Sequence, residues 1–265
     1  MTAAPLVICS GGVTALFSGL AFSGLIITLL IQREELKLQR QEIRASNHEF
    51  ALQRFDSAFF GIMKMLNDHV LSITGGSQKN PTSGRKVLLE YSNTIFRNAS
   101  LKAEQYREGS LSDRRSFLDG KEDIINMTEP ADLVGYVSKL FGDYDYDLGP
   151  YFRILHNVYR LIDDEDKLSP AQKLNYARIA RSHISLAELD LIFLNGVTRQ
   201  AEWFKPYIDR YAILKHTEKA TLTEFEGHFS HLYEDSAFET TPLPSDAKPI
   251  SELKRFSLAS RLRAH

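Results

Sequence analysis

The stretch Gly149–Gly196, GPYFRILHNVYRLIDDEDKLSPAQKLNYARIARSHISLAELDLIFLNG, decides the fold. Gly149-Pro150 reads as the opening of a helix, because proline at the first helical position forfeits no hydrogen bond. Phe152, Leu155, Tyr159 and Ile162 then recur at three- and four-residue steps, which is one apolar helical face. The run Asp163-Asp164-Glu165-Asp166 predicts a solvated acidic loop. Ser169-Pro170 starts a second helix, with serine as N-cap and proline at the first position. Leu174, Ala177, Ala180 and Ile184 form its stripe. Ser185 and Glu188 read as a capping box before Leu189, Ile192 and Phe193. Asn195-Gly196 reads as a stop, since both residues tolerate the left-handed conformation common at helix C-termini. The stretch therefore predicts three short packed helices.

The same residues resemble the AbiC-type phage abortive infection proteins, a membrane family. The resemblance is carried by Tyr151, Phe152, Arg153, Ile162, Asp163, Tyr176, Ala177, Arg181, Ile184, Ser185, Glu188, Leu189 and Asn195. His156 and His183 stand where it leads one to expect Tyr and Gln. A second likeness, LLIQREELKLQRQEI at Leu29–Ile43, resembles the family's junction between membrane and cytoplasm. The likeness is patchy between Leu71 and Asp147. Family members often carry two membrane segments, and one is found here. The resemblance implies a role in phage defence and no particular reaction.

Outward from this stretch, composition sets bounds. A net charge of -2 gives no reason to expect a general nucleic-acid binder. The single cysteine, Cys9, permits neither a disulfide framework nor a cysteine metal site. No cofactor is implied. The lack of alternating apolar and polar runs argues against a sheet protein.

No charged side chain precedes Arg33, and Val13 to Ile31 is apolar or small throughout. A helix of about 20 residues spans a hydrocarbon core. A secretory signal peptide is disfavoured by the missing basic start, the long apolar run and the missing cleavage site, so a retained anchor is expected. Arg33, Lys37, Arg40 and Arg44 follow it, which places the C-terminal bulk in the cytoplasm by the positive-inside rule. Gly11, Ala15, Gly19 and Ser23 fall four apart and give the anchor one face of small residues, where a second helix can approach closely.

The helix should continue into water. Leu29, Leu36, Ile43 and Phe50 are seven apart, a sparse heptad seam, and Leu52, Phe55, Phe59, Ile62, Leu66 and Val70 follow as a dense stripe. Thr74–Gly84 reads as a loop, and its spacing does not fit a phosphate loop. Helices are expected around Leu88–Ile95 and Leu133–Tyr144, the latter started near Pro130, with Ser110–Gly120 as a surface connection. Phe204, Tyr207, Ile208 and Tyr211 form one more apolar face, and Phe225, Phe229 and Leu232 continue the helical pattern. Thr240–Pro249 reads as a linker before a basic tail.

Several patterns bear on chemistry. Arg178 and His183 match R-x4-H, a ribonuclease pattern, but Arg210 and His216 match the similar R-x5-H, so the pattern is cheap and no catalytic residue is assigned. Asp143, Asp145 and Asp147 alternate like a calcium loop, yet Leu148 and Ile154 occupy the positions that need glycine and glutamate. They read as a solvated acidic turn. His228 and His231, with Glu224, read as a surface group and not as a metal site. Arg153, Arg181 and Glu188 sit on or beside buried faces, and a buried arginine requires a partner, which Asp163, Asp190 or Glu188 would supply. Either an ion-pair clasp between helices or a charged pocket for a trigger would result.

The expected protein is all-α: an N-terminal transmembrane anchor over residues 1–32, a juxtamembrane long helix over 33–73, a cytoplasmic helical bundle over 74–240, and a linker and basic tail over 241–265. It would sit in the inner membrane as a homo-oligomer, contact membrane lipid, and answer a phage-derived trigger or a companion defence protein. A non-enzymatic sensor and effector that oligomerises and perturbs the membrane is the leading expectation. A membrane-tethered ribonuclease and a non-catalytic scaffold are the alternatives.

Overall fold

The computed structural model describes residues 5–77, 80–118, 130–225, 229 and 232–252, with side chains described over a slightly smaller set. In chain order the helices are α1 (Pro5–Ser72), α2 (Arg85–Leu118), α3 (Pro130–Gly142), α4 (Asp145–Asp164), α5 (Pro170–Arg181), α6 (Leu186–Gly196), α7 (Lys205–Arg210) and α8 (Lys219–Glu224). One antiparallel pair, β1 (Thr74–Ser77) and β2 (Asn80–Ser83), joins α1 to α2 in the register Thr74 to Ser83. The fold is all-α, as the periodicity predicts. The chain divides into two compact units, Met1–Arg54 and Phe55–His265.

The first unit consists of the leading part of α1. Its described side chains are exposed, including Leu16, Phe17, Leu20, Phe22, Leu25 and Leu30. Large apolar side chains exposed all round a helix fit lipid as their solvent. Ser23 Oγ donates to the Gly19 carbonyl and Thr28 Oγ1 to the Gly24 carbonyl, each at 2.8 Å, so neither hydroxyl needs water. Among the described residues, α1 is the one helix long and apolar enough to cross a membrane.

The second unit is a helical bundle. The end of α1 buries Phe55, Phe59, Met63, Leu66 and Val70, the stripe expected from its spacing. Around it, α2 packs on α3 and α6, and α4 packs on α5 and α7. Along α4 the stripe read from sequence, Phe152, Leu155, Tyr159 and Ile162, is buried, and Leu148, Tyr151, Val158 and Asp163 are buried with it. Two of the three predicted starts in this stretch are present. Ser169 and Gln172 form a capping box ahead of α5, with Pro170 in its first turn. Ser185 and Glu188 form a second ahead of α6.

Several expectations change. The first motif helix begins at Asp145, not at Gly149-Pro150, and Pro150 lies inside it. Asp145 and Asp147 occupy its first turn, where carboxylates complement the helix dipole. Pro150 lacks the N–H that would serve the Tyr146 carbonyl, and Tyr146 is 92% exposed, so that carbonyl needs no partner within the protein. Asp147 is not a solvated turn residue: it accepts from the Tyr91 hydroxyl at 2.7 Å, and its carbonyl takes the Nε2–H of His69. Thr74–Gly84 forms a hairpin because Gly76 supplies a φ of +82 that other residues rarely adopt. The Ser110–Gly120 connection is overtaken by α2, which runs on to Leu118 through good helix formers such as Arg107, Glu108 and Arg114. Gly196 does not adopt a left-handed conformation. It is there for space: a Cβ would fall 2.3 Å from the hydroxyl of Tyr233. Thr240–Pro249 is not a detached linker, since the Lys248 carbonyl accepts from Arg210 and the Ile250 amide donates to Asp163. The His228–His231 pair and the basic tail from Leu253 lie outside the described residues.

Candidate functional site

The polar residues of the motif stretch gather into two buried clusters. The first centres on Asp163, at the end of α4 and 1% exposed. Its Oδ1 accepts from Arg210 Nη1 and from the Tyr211 hydroxyl, both at 2.7 Å, and its Oδ2 accepts from the Ile250 backbone. Arg210 also donates to the Lys248 carbonyl at 2.8 Å. Tyr211 carries the network onward. Its carbonyl, with that of Ala212, accepts from Arg181 Nη1 at 3.2 and 2.7 Å. Ala212 holds a φ of +48, a left-handed conformation that costs a non-glycine residue energy and that Arg181 pins in place. Burial holds the Arg181 guanidinium below its usual pKa, and burial with the Asp163 charge pushes the Tyr211 phenol far up. Tyr211 therefore stays a donor. The hydroxyl of Tyr159, whose ring is 5.9 Å from that of Tyr211, is buried without a hydrogen-bond partner.

The second cluster centres on Glu188 at the start of α6, 2% exposed. Oε2 closes the capping box on Ser185 and lies 3.6 Å from Arg85 Nε, while Oε1 accepts from the Tyr151 hydroxyl at 3.0 Å. Arg85 also donates to the His183 carbonyl at 2.7 Å, so it ties α2 to the α5–α6 turn. Burial and the neighbouring Glu188 carboxylate raise the Tyr151 phenol well above its ordinary pKa. It is a locked donor, not a nucleophile.

Ion pairs do join the helices here, but not through the arginines expected. Arg181 is held by carbonyls and not by a carboxylate. Arg153 is exposed and takes no part in either cluster. Arg85 and Arg210 supply the cations instead. No local sequence pattern marked Arg85; Asp163, expected to open a solvated acidic loop, is instead the buried end of α4 and, as the partner offered for a buried arginine, meets Arg210. Tyr176 leaves the motif's polar clusters altogether: its hydroxyl donates to Asp56 and its ring packs edge-on against Phe55 and Phe59. Phe152 packs edge-on against Phe141 and Tyr151. The Asn195 carbonyl accepts from the Thr198 amide and hydroxyl, closing the turn after α6.

Arg178 and His183 are both exposed, and His183 spends Nδ1 on the Ile179 carbonyl at 3.0 Å. That bond occupies one ring nitrogen, and neither residue lies in the two buried clusters. Among the described residues no group of three or more His, Cys, Asp or Glu is placed to hold a metal ion.

The segment that supplies most of both clusters, though not Arg85, Lys248 or Ile250, has a counterpart among known families. Residues 143–222 match the family described as "Putative phage abortive infection protein". The resemblance carried by Tyr151 to Asn195 is borne out over this segment. The abortive-infection segment contains Asp163, Arg181, Glu188, Arg210 and Tyr211, so the match supports a role in phage defence. The likeness at Leu29–Ile43 lies outside it. No curated protein and no solved structure gives a significant match to the chain.

His156 departs from the expected tyrosine and is informative for that reason. Its ring lies 4.2 Å from Trp203 and 5.0 Å from Tyr207, both edge-on. Burial, then the charge of Arg160, lowers its pKa from 6.5 to about 4. The folded chain therefore prefers the neutral ring, while the unfolded chain takes up a proton near the ordinary value. The contribution is complete above about pH 6.5 and is lost as pH falls toward 4. Allowing for part-exposure, the loss should be about 1–2 kcal/mol. Melting curves of the full-length protein and of His156→Tyr between pH 7 and 5 should diverge, with the wild type losing more. Parallel curves would refute the assignment.

Proposed function

We propose that this chain is a membrane-anchored effector of phage defence. Its C-terminal unit senses infection on the cytoplasmic face of the inner membrane and drives association of the anchors, which permeabilises the membrane and halts the infected cell. The observation that carries this reading is the construction of α1. One uninterrupted helix holds both an exposed apolar run at its start and, from Phe55, a stripe buried in the unit that bears the abortive-infection segment. The small residues Ala15, Gly19 and Ser23, exposed on the helix, would allow close packing of anchors; the side chain of the fourth, Gly11, lies outside the described residues.

The test is membrane potential after infection. Cells carrying the full chain should depolarise at growth arrest, and cells carrying a chain without residues 1–32 should not. A normal potential at the moment of arrest would overturn permeabilisation. Degraded total RNA with the potential intact would point to the ribonuclease alternative.

A further inference from the structure

The segment of α1 beyond the apolar run carries more information than its hydrophobic spacing. Leu29, Leu36, Ile43 and Phe50 lie seven apart and are 56, 54, 59 and 58% exposed. Counting these as the a positions of a heptad puts Glu35, Glu42 and Glu49 at the g positions. The e positions are then Arg33, Arg40, Asn47 and Arg54. One flank of the apolar line is wholly acidic and the other basic at three places of four. In a parallel pair, each g residue faces the e residue five positions later on its partner. Glu35 meets Arg40, Glu49 meets Arg54, and Glu42 meets Asn47. In an antiparallel pair g faces g and e faces e, so glutamate would meet glutamate and arginine would meet arginine.

We infer that residues 29–54 of α1 pair with the same segment of a second copy, parallel and in register, with Glu35–Arg40 and Glu49–Arg54 joined across the pair. The occupant is fixed by this charge complementarity. The acidic flank of the helix fits the basic flank of its own copy, and only when both run the same way. Two copies anchored in one membrane through their leading segments are held in that same orientation. The d positions, Gln32, Gln39, Ser46 and Gln53, are polar. Such a seam associates more weakly than one with apolar d layers. Pairing then depends on the local concentration that anchoring supplies, which suits assembly on demand.

The inference rests on the oligomerisation in the proposed function but not on permeabilisation. It is tested on the full-length protein in native membrane vesicles, with Cys9→Ser as background, by oxidative trapping of single cysteines. Leu36→Cys and Ile43→Cys should give about fivefold more dimer than Leu38→Cys or Gln41→Cys, which lie off the seam. Glu35→Arg with Glu49→Arg, and separately Arg40→Glu with Arg54→Glu, should each reduce trapping at position 43 by a similar factor. All four changes in one chain should restore it. Equal trapping at positions 38 and 41, indifference to the paired reversals, or no recovery in the fourfold variant would each overturn the pairing. A protein that depolarises the membrane without trapping at 36 and 43 loses this inference alone. One that traps there without depolarising loses permeabilisation alone.

Discussion

Asp163→Ala should severely destabilise the second unit, at a cost of about 3 kcal/mol, because it strands a half-buried cation and two further donors at once. Arg210, the Tyr211 hydroxyl and the Ile250 amide all end on this one carboxylate. The loss should have a local signature as well. Ile250 and Lys248 are tied to the α4 end through Asp163 and Arg210, so hydrogen exchange should rise at Ile250 before global unfolding. Arg210→Met should cost less. The arginine side chain is 18% exposed, and Asp163 keeps two of its donors. Denaturant unfolding of the full chain in detergent, with exchange read at Ile250, checks both. A loss under about 1 kcal/mol for Asp163→Ala would mean that water replaces those donors and that the network does not hold the bundle.

Glu188→Ala should be the next most damaging change, at roughly 2–4 kcal/mol, and its parts are separable. It removes one arm of the capping box, the acceptor for the buried Tyr151 hydroxyl, and the partner of Arg85. Adding Tyr151→Phe should recover part of the loss, because it deletes the stranded hydroxyl. Glu188→Gln should stay near the wild type. Its one amide oxygen keeps the Ser185 cap, the Tyr151 hydroxyl turns to accept from the new NH2, and the lost ion pair to Arg85, whose side chain is 52% exposed, is worth at most about 1 kcal/mol. Phage protection by Glu188→Gln then separates structure from signalling. A variant that melts like the wild type yet no longer protects would show that the charge meets a trigger. Full protection would make the cluster a lock.

Much of the candidate site was legible because its signals are local. Ser169, Ser185 and Glu188 act on backbone groups three residues away, so their spacing alone states their role. The stripe of α4 was readable for the same reason, since helical period converts sequence distance into a shared face. Pro150 misled because proline marks a helix start only when the carbonyl behind it has no other recourse, and Tyr146 has solvent. Arg181 misled because backbone carbonyls satisfy a buried guanidinium as well as a carboxylate does, and no spacing rule predicts which will be near. Arg178 and His183 match a spacing too common to carry an assignment, and both are exposed.

By itself the sequence determined an all-α chain, its apolar leading helix, its capping boxes and its likeness to the abortive infection family. These follow from contacts between residues a few positions apart and from the character of whole segments. Only the tertiary structure decided that Asp163 answers to Arg210, Tyr211 and Ile250, that Glu188 answers to Tyr151 and Arg85, and that Gly196 makes room for Tyr233. Those partners lie tens of residues apart along the chain. Which of many arginines and tyrosines meets a given buried carboxylate depends on how the helices dock, and docking is settled by the packing of the whole core.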